Sequence, residues 1–476
     1  MANEMNNLAG FFTRRNFLKI TGGCAALSST SMLSTILDLQ MTKAALAALP
    51  PFADYKALVC VFLSGGIDTH NVLMPYEDQE FTDYSAARTN LAIPKASMLQ
   101  INTPSGRRFG LHPRLTELRD LYNAGRLATV ANVGSLVVPI ANKNVLASSA
   151  KPLGLYSHSD LIKHWQTSVP QSRTQITGWA GRMADMITDP SISTTNAAIS
   201  MNISLSGLNV FETGRVATPY AISSNATSPA VVLSGYSNTT TNARDRIFSR
   251  FSDSALGETY SDLLERSYAE ARRASIDAAI TFNSAIANTL TTVFPSTSLG
   301  NQLKMVARII GARQTLGRSR QIFFINAGGW DHHADLLTNQ NNMLPTVSQA
   351  FKAFYDATVE LGVANRVTTF TTSDFSRTLT SNGTGSDHGW GGNHFVFGGA
   401  VVGGNVFGSY PASLAPNNIL DTGRGRIIPT VSVDQYAAEL AMWFGIPNDS
   451  NLVDVFPNIR NFFSASAVGR PLGFTT

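Results

Sequence analysis

Charge is scarce in this chain. Of its 476 residues, 14% are Asp, Glu, Lys or Arg, against about 25% in an average soluble protein, so the surface must rely on neutral polar side chains. The two signs nearly balance, with 36 Lys and Arg against 32 Asp and Glu for a net charge of +4. A basic footprint for nucleic acid or a membrane surface is thereby excluded. Cysteine is almost missing: there are two, and only Cys60 lies beyond residue 47. The chain after that point therefore has no intramolecular disulfide, and Cys60, inside the apolar run Ala57–Leu63, is expected to be a small core residue. No Pro-rich linker, acidic run or internal repeat is present. The 43% hydrophobic content excludes long disorder, and the lack of a short period excludes collagen and coiled coil.

A stable membrane anchor is not expected either, because a span needs about 20 predominantly apolar residues. The one candidate, Ile20–Leu39, is broken by Gly22, Gly23 and several Ser and Thr. It follows Thr13-Arg14-Arg15-Asn16-Phe17-Leu18-Lys19 and precedes Ala45-Leu46-Ala47. An Arg pair, a weakly apolar stretch and small residues at a cleavage point resemble a twin-arginine export signal. The competing reading is an amphipathic N-terminal helix. Export predicts that residues 1–47 are removed, that the twin-arginine machinery is a partner, and that the protein works in the periplasm or outside the cell. Cys24 follows Thr21-Gly22-Gly23, which lacks the apolar residue of a lipoprotein site. Removal takes away Arg14, Arg15, Lys19 and Lys43 with Glu4 and Asp38, leaving +2.

Four short β-like runs follow: Ala57–Leu63, Leu127–Gly134, Gln321–Asn326 and Arg366–Thr372. Helical patterns lie between them, at Leu111–Gly125, Leu303–Arg313 and Leu344–Leu361. Alternating short buried strands and helices predict one α/β domain over 48–476, with a mostly parallel sheet covered on both faces. Between Ile187 and Thr241 only Asp189, Glu212 and Arg215 are charged, which predicts irregular structure. A helix then carries the stripe Tyr260, Leu264, Tyr268, Ala271, Ala274, Ala278 and Phe282. Segment 187–320 is expected to form an inserted cap.

The scarce Asp and His residues gather where strands end. Ser64-Gly65-Gly66-Ile67-Asp68 follows the first strand, and Gly328-Gly329-Trp330-Asp331-His332-His333 follows the third. Ser373-Asp374-Phe375-Ser376-Arg377 follows the fourth, with Asp387-His388-Gly389-Trp390-Gly391-Gly392-Asn393-His394 downstream. In a parallel sheet, loops leaving the carboxyl ends of strands share one edge. A mixed carboxylate and imidazole set there suits Zn²⁺ or Mn²⁺, and a more carboxylate-rich one Ca²⁺ or Mg²⁺. The plain alternative is a hydrogen-bonded polar cleft. Tyr156-Ser157-His158-Ser159-Asp160 offers a hydroxyl nucleophile beside an imidazole, or simply the N-cap of a helix.

At these residues the chain resembles the domain of unknown function 1501 family, whose members are twin-arginine-exported bacterial proteins related to sulfatases within the alkaline phosphatase superfamily. The motifs are Leu63-Ser64-Gly65-Gly66-Ile67-Asp68, Gly110-Leu111-His112-Pro113, Ser157-His158, Gly178-Trp179, Gly329-Trp330-Asp331, Ser373–Arg377 and Asp387–His394. Gly423-Arg424-Gly425-Arg426 with Pro429, Asp434-Gln435-Tyr436 and Trp443-Phe444-Gly445 continue the pattern. The resemblance implies an alkaline phosphatase/sulfatase-like three-layer sandwich. It implies Asp68 as a metal ligand after the first strand, with Asp331, His332 or His333, Asp374, and His388 or His394 supplying the rest, and Ser157, beside the catalytic candidate His158, as the best-placed nucleophile. Phe375 stands where a two-metal phosphatase site has His directly after its third aspartate, so a one-metal or altered site is expected. The sulfatase nucleophile motif is absent.

The function expected is a metal-dependent hydrolase of phosphate or sulfate esters, in which Arg377 clamps the anionic group or else forms a structural salt bridge. The alternative is a non-catalytic envelope or matrix protein with an altered site, binding glycan or a protein partner.

Overall fold

The computed structural model describes residues 52–187, 199–224, 229 and 263–476. The expected export segment 1–47 lies outside the described residues. Among the described residues the central sheet has nine strands: β1 Lys56–Phe62, β2 Leu127–Gly134, β3 Asn202–Ser204, β4 Tyr220–Ala221, β5 Arg320–Asn326, β6 Val367–Thr372, β7 Gly392–Gly398, β8 Val406–Gly408 and β9 Val431–Ser432. Their order is β8-β2-β7-β6-β1-β5-β3-β4, with β9 also pairing β2. All pairs are parallel except those of β7, which runs antiparallel to both β2 and β6.

β1 explains why its run reads as continuously apolar. Side chains alternate across a sheet, and here both faces are buried. Ala57, Val59 and Val61 enter one hydrophobic core, and Leu58, Cys60 and Phe62 enter the other. The first core is closed by α1 Asp78–Arg88, α2 Thr116–Asn123, α5 Leu263–Ala285, α6 Ser298–Gly311 and α7 Leu336–Glu360. The second is closed by α3 His158–Thr167, α4 Trp179–Met186, α8 Val433–Phe444 and α9 Ser450–Val455. Each fully buried Leu or Phe contributes about 1.5–3 kcal/mol, which removes the need for a disulfide. Cys60 is buried as expected, its Sγ 3.6 Å from Thr372 Oγ1, and burial pushes its thiol pKa well up.

The fold is thus mixed α/β with a mostly parallel central sheet and helices on both faces. Two helices differ from expectation. Leu111 closes an antiparallel strand, Arg108–Leu111, and α2 begins only at Thr116, because a residue before proline, here His112 before Pro113, is driven out of the helical region. α7 starts at Leu336 and carries Pro345 inside it. On α5 the buried side chains include Ala278, Ala279 and Phe282, whereas Ala274 is exposed, and Tyr260 lies outside the described residues. The described parts of 187–320 belong to the same α/β unit, as β3, the edge strand β4 and the helices α5 and α6. The remainder of the expected cap lies outside the described residues, among which no helix is long and apolar enough to cross a membrane.

Register positions the site. Phe62 at the end of β1 pairs with Asn326 on β5 and Thr372 on β6, so three loops leave one edge side by side. β2 is antiparallel to β7, hence parallel to β6, and also ends there. β7 enters from that edge, which brings the residues preceding Gly392 to the same place.

Candidate metal centre

The loops approach closely because glycines let them. Gly65 and Gly66 have φ of 115° and 75°, a region that side chains with a Cβ rarely adopt. A Cβ at Gly65 would stand 2.6 Å from the Asp331 nitrogen, and one at Gly66 would stand 2.3 Å from the Phe375 ring. Gly65 N–H donates to Asp374 Oδ1 at 3.0 Å, and Ser373 Oγ donates to the Leu63 carbonyl at 2.7 Å. The β1 and β6 loops are thereby fastened together.

Around Asp331 three imidazoles converge. His158, first residue of α3, faces Asp374 Oδ2 with Nδ1 at 2.6 Å and turns Nε2 toward Asp331 Oδ2 at 3.5 Å. His388 donates from Nδ1 to the Tyr156 carbonyl at 2.7 Å and turns Nε2 toward Asp331 Oδ1 at 3.5 Å. His333 faces Asp387 Oδ1 with Nδ1 at 3.3 Å; its Nε2 is 3.1 Å from Asp331 Oδ1 and 2.9 Å from His388 Nε2. A carbonyl only accepts, so His388 carries its proton on Nδ1, and in the neutral ring Nε2 bears the lone pair. The same assignment follows for His158 against a carboxylate. His158 Nε2 is buried without a hydrogen-bond partner. The ligand atoms of His158, Asp331 and His388 lie within 4.8 Å of one another.

Histidines that bind metals characteristically donate their second ring nitrogen to a carboxylate or backbone carbonyl, which fixes tautomer and orientation. All three imidazoles have such an oxygen on Nδ1. The residues present therefore fit a divalent cation, and a set dominated by imidazole suits zinc or an iron-group metal better than calcium or magnesium. Burial lowers the pKa of His388, only partly offset by its bond to Tyr156. Burial raises that of Asp331, but Arg377 and the nearby His158 and His333 more than reverse this and hold it below the usual carboxylate value. Asp331 is 48% exposed in its side chain, so the cluster opens to solvent. Phe375 backs it, its ring 4.8 Å from that of His158 and 4.5 Å from that of His388.

Residues 55–418 match the family model described as a protein of unknown function (DUF1501). The chain belongs to this family. The DUF1501 match contains every residue of the imidazole cluster. None of the curated proteins matches the chain. Among solved structures, the crystal structure of Ps i-CgsB in complex with k-i-k-neocarrahexaose is similar at 10% identity, over 85% of this chain and 77% of that one, with a TM-score of 0.33. That likeness is too remote to bear on function.

Of the residues expected from the sequence of this DUF1501 chain, Asp331, His333 and His388 meet in the cluster, and Asp374 stands one bond behind, orienting His158. His158, expected beside a nucleophile, takes a ligand-like place. Asp68 does not join them: its carboxylate is 1% exposed, ion-paired with Arg88, and accepts from His70 N–H at 3.2 Å. His394 is also elsewhere, inside β7 with its ring 4.7 Å from Trp165, where burial lowers its pKa to about 3. Arg377 is fully buried and donates to the carbonyls of Gly66 at 2.7 Å, Ser386 at 3.0 Å and Gly65 at 2.6 Å, besides pairing with Asp331. Its fork is occupied, so the salt-bridge reading holds rather than the anion clamp. Ser157 is the N-cap of α3, accepting from Asp160 N–H at 3.5 Å.

Three contributors were not anticipated. Asp387 orients His333, and Asn382 supports both by donating to Asp387 Oδ1 at 3.0 Å and to the His333 carbonyl at 3.1 Å. The position of Asp387 directly before His388 was a usable signal. The Tyr156 carbonyl left none, being a backbone group.

Proposed function

We propose that the chain is an exported, metal-dependent hydrolase of phosphate or sulfate esters on an alkaline phosphatase/sulfatase-like fold. The observation carrying this reading is the common orientation of His158, His333 and His388, each with Nδ1 on an oxygen and Nε2 toward Asp331. His158, His388 and Asp331 would hold the cation, with His333 beside them. When bound, a zinc or manganese ion there supplies Lewis acidity toward an ester oxygen and acidifies water. Asp374 and the Tyr156 carbonyl keep His158 and His388 in the binding tautomer, and Asp387 orients His333 beside them. The half-exposed Asp331 leaves one side of the group open to substrate, and Phe375 excludes water behind it. The Arg pair at Arg14-Arg15 and the small residues at Ala45-Leu46-Ala47 support folded export to the periplasm or beyond.

A second reading, a non-catalytic envelope protein binding glycan or a protein partner, is favoured by Arg377 and Ser157. The carbonyls and Asp331 occupy the first, and the second serves as a helix cap. The metal-loaded chain should be offered aryl phosphates, phosphodiesters and aryl sulfates, with Asp331→Asn as control. Hydrolysis of one class, lost in the control, is expected. Turnover of none by metal-loaded protein would leave the binding reading.

A further inference from the structure

The motif Gly423-Arg424-Gly425-Arg426 has no part in the imidazole cluster, yet it touches the groups that orient it. The turn is tightly made. Asp421 Oδ1 accepts from Gly423 N–H at 2.7 Å and Gly425 N–H at 2.8 Å. Gly423, Arg424 and Gly425 have φ of 118°, 60° and 73°, so Arg424, which has a Cβ, is held in a conformation that costs free energy. A Cβ on Gly425 would lie 2.4 Å from the Leu379 Cβ, and Leu379 N–H donates to the Gly425 carbonyl at 3.1 Å. The turn is therefore docked beside the Arg377–Ser381 strand.

Two guanidinium groups leave it for different targets. Arg424 Nη1 is 2.6 Å from Asp387 Oδ2, whose other oxygen faces His333 Nδ1 at 3.3 Å. Arg426 Nε donates to the His388 carbonyl at 3.0 Å, and its guanidinium lies 4.6 Å from the centre of the Tyr156 ring. Tyr156 Oη is also 3.2 Å from Thr422 Oγ1. This anchoring has a purpose visible in the backbone. Tyr156 has φ of 73°, rare for an aromatic residue, and in that conformation its carbonyl meets His388 Nδ1 at 2.7 Å. A freed Tyr156 would relax toward negative φ and swing the carbonyl away.

We propose that the 421–426 turn is the positioning element of the metal centre: Arg424 fixes Asp387 for His333, and Arg426 fixes Tyr156 and His388. This rests on the metal-centre reading. Loss of an outer partner to a metal-binding histidine typically weakens affinity about 10–100-fold. The test is titration of Zn²⁺ into metal-stripped full chain, competed against a chelating chromophore, for wild type, Arg424→Gln, Arg424→Lys and Arg426→Gln. Arg424→Gln and Arg426→Gln, each one contact further out than the partners themselves, should bind about 5–10-fold more weakly. Arg424→Lys, which keeps the ion pair, should stay within about threefold of wild type. Arg424 is 48% exposed in its side chain, so the metal-free melting temperature of its variants should move by no more than about 2 °C. Equal Zn²⁺ affinity in wild type and both Gln variants overturns the proposal while the metal centre stands. Failure of wild type to bind Zn²⁺ overturns the metal-centre reading itself, and this inference with it.

Discussion

His158 Nδ1 lies 2.6 Å from Asp374 Oδ2, and the other oxygen of Asp374 accepts from Gly65 N–H at 3.0 Å. One buried carboxylate thus ties an imidazole from the start of a helix to the loop after β1. Asp374→Asn presents either an amide N–H₂ to an N–H, or a carbonyl to His158 at the expense of Gly65. The variant should remain folded by far-ultraviolet circular dichroism and bind zinc about 10–100-fold more weakly. Unchanged affinity would mean that Asp374 does not orient His158.

Asp68 and Arg88 form a buried pair, with side chains 1% and 0% exposed. Arg88 also donates to the Thr378 carbonyl at 2.9 Å. Breaking such a pair from one side typically costs about 3–5 kcal/mol, because the remaining charge stays buried. Asp68→Asn should lower the denaturation midpoint accordingly, yet leave the metal content of the folded fraction unaltered. Lost metal in well-folded Asp68→Asn protein would restore Asp68 as a ligand.

Stability should fall on both sides of a weakly acidic optimum. Glu212 is fully buried, its Oε2 accepting from Asn209 at 2.7 Å, and burial raises its pKa to about 8. The folded state therefore retains a proton that the unfolded chain releases near pH 4.5. The stabilisation is complete below that value and disappears as pH rises toward 8, on the order of a few kcal/mol. Glu212→Gln should remove this arm, so that the urea midpoint of wild type drops more than that of the variant between pH 5 and about 8.5. His70, His112 and His164 act oppositely, with burial lowering each pKa to about 4. Their contribution is present above pH 6.5 and is lost as pH falls to 4. An equal drop in wild type and Glu212→Gln at high pH would show that the carboxyl titrates normally.

What could be read from the sequence divides along physical lines. β1, β2, β5 and β6 were legible because both faces are buried, which forces near-continuous apolar runs such as Ala57–Leu63. Asp331, His333, Asp374 and His388 were legible by residue type and by standing after strands of one parallel sheet. Asp68 satisfies the same criteria yet stands apart from the cluster, because its partner Arg88 comes from α1 and only tertiary packing brings it there. His394 followed a strand-edge motif, but it lies within β7, where Trp165 and Tyr436 enclose it. The Tyr156 carbonyl was out of reach altogether, since its role depends on a left-handed φ that no side chain announces.

In the proposed site His158, His388 and Asp331, with His333 beside them, hold a divalent transition metal. Metal analysis by mass spectrometry of the folded chain, against His158→Ala/His388→Ala, tests this most directly. About one equivalent of zinc or an iron-group metal per chain in wild type, absent from the folded double variant, is the predicted result. No metal in wild type, or the same content in both proteins, would contradict it.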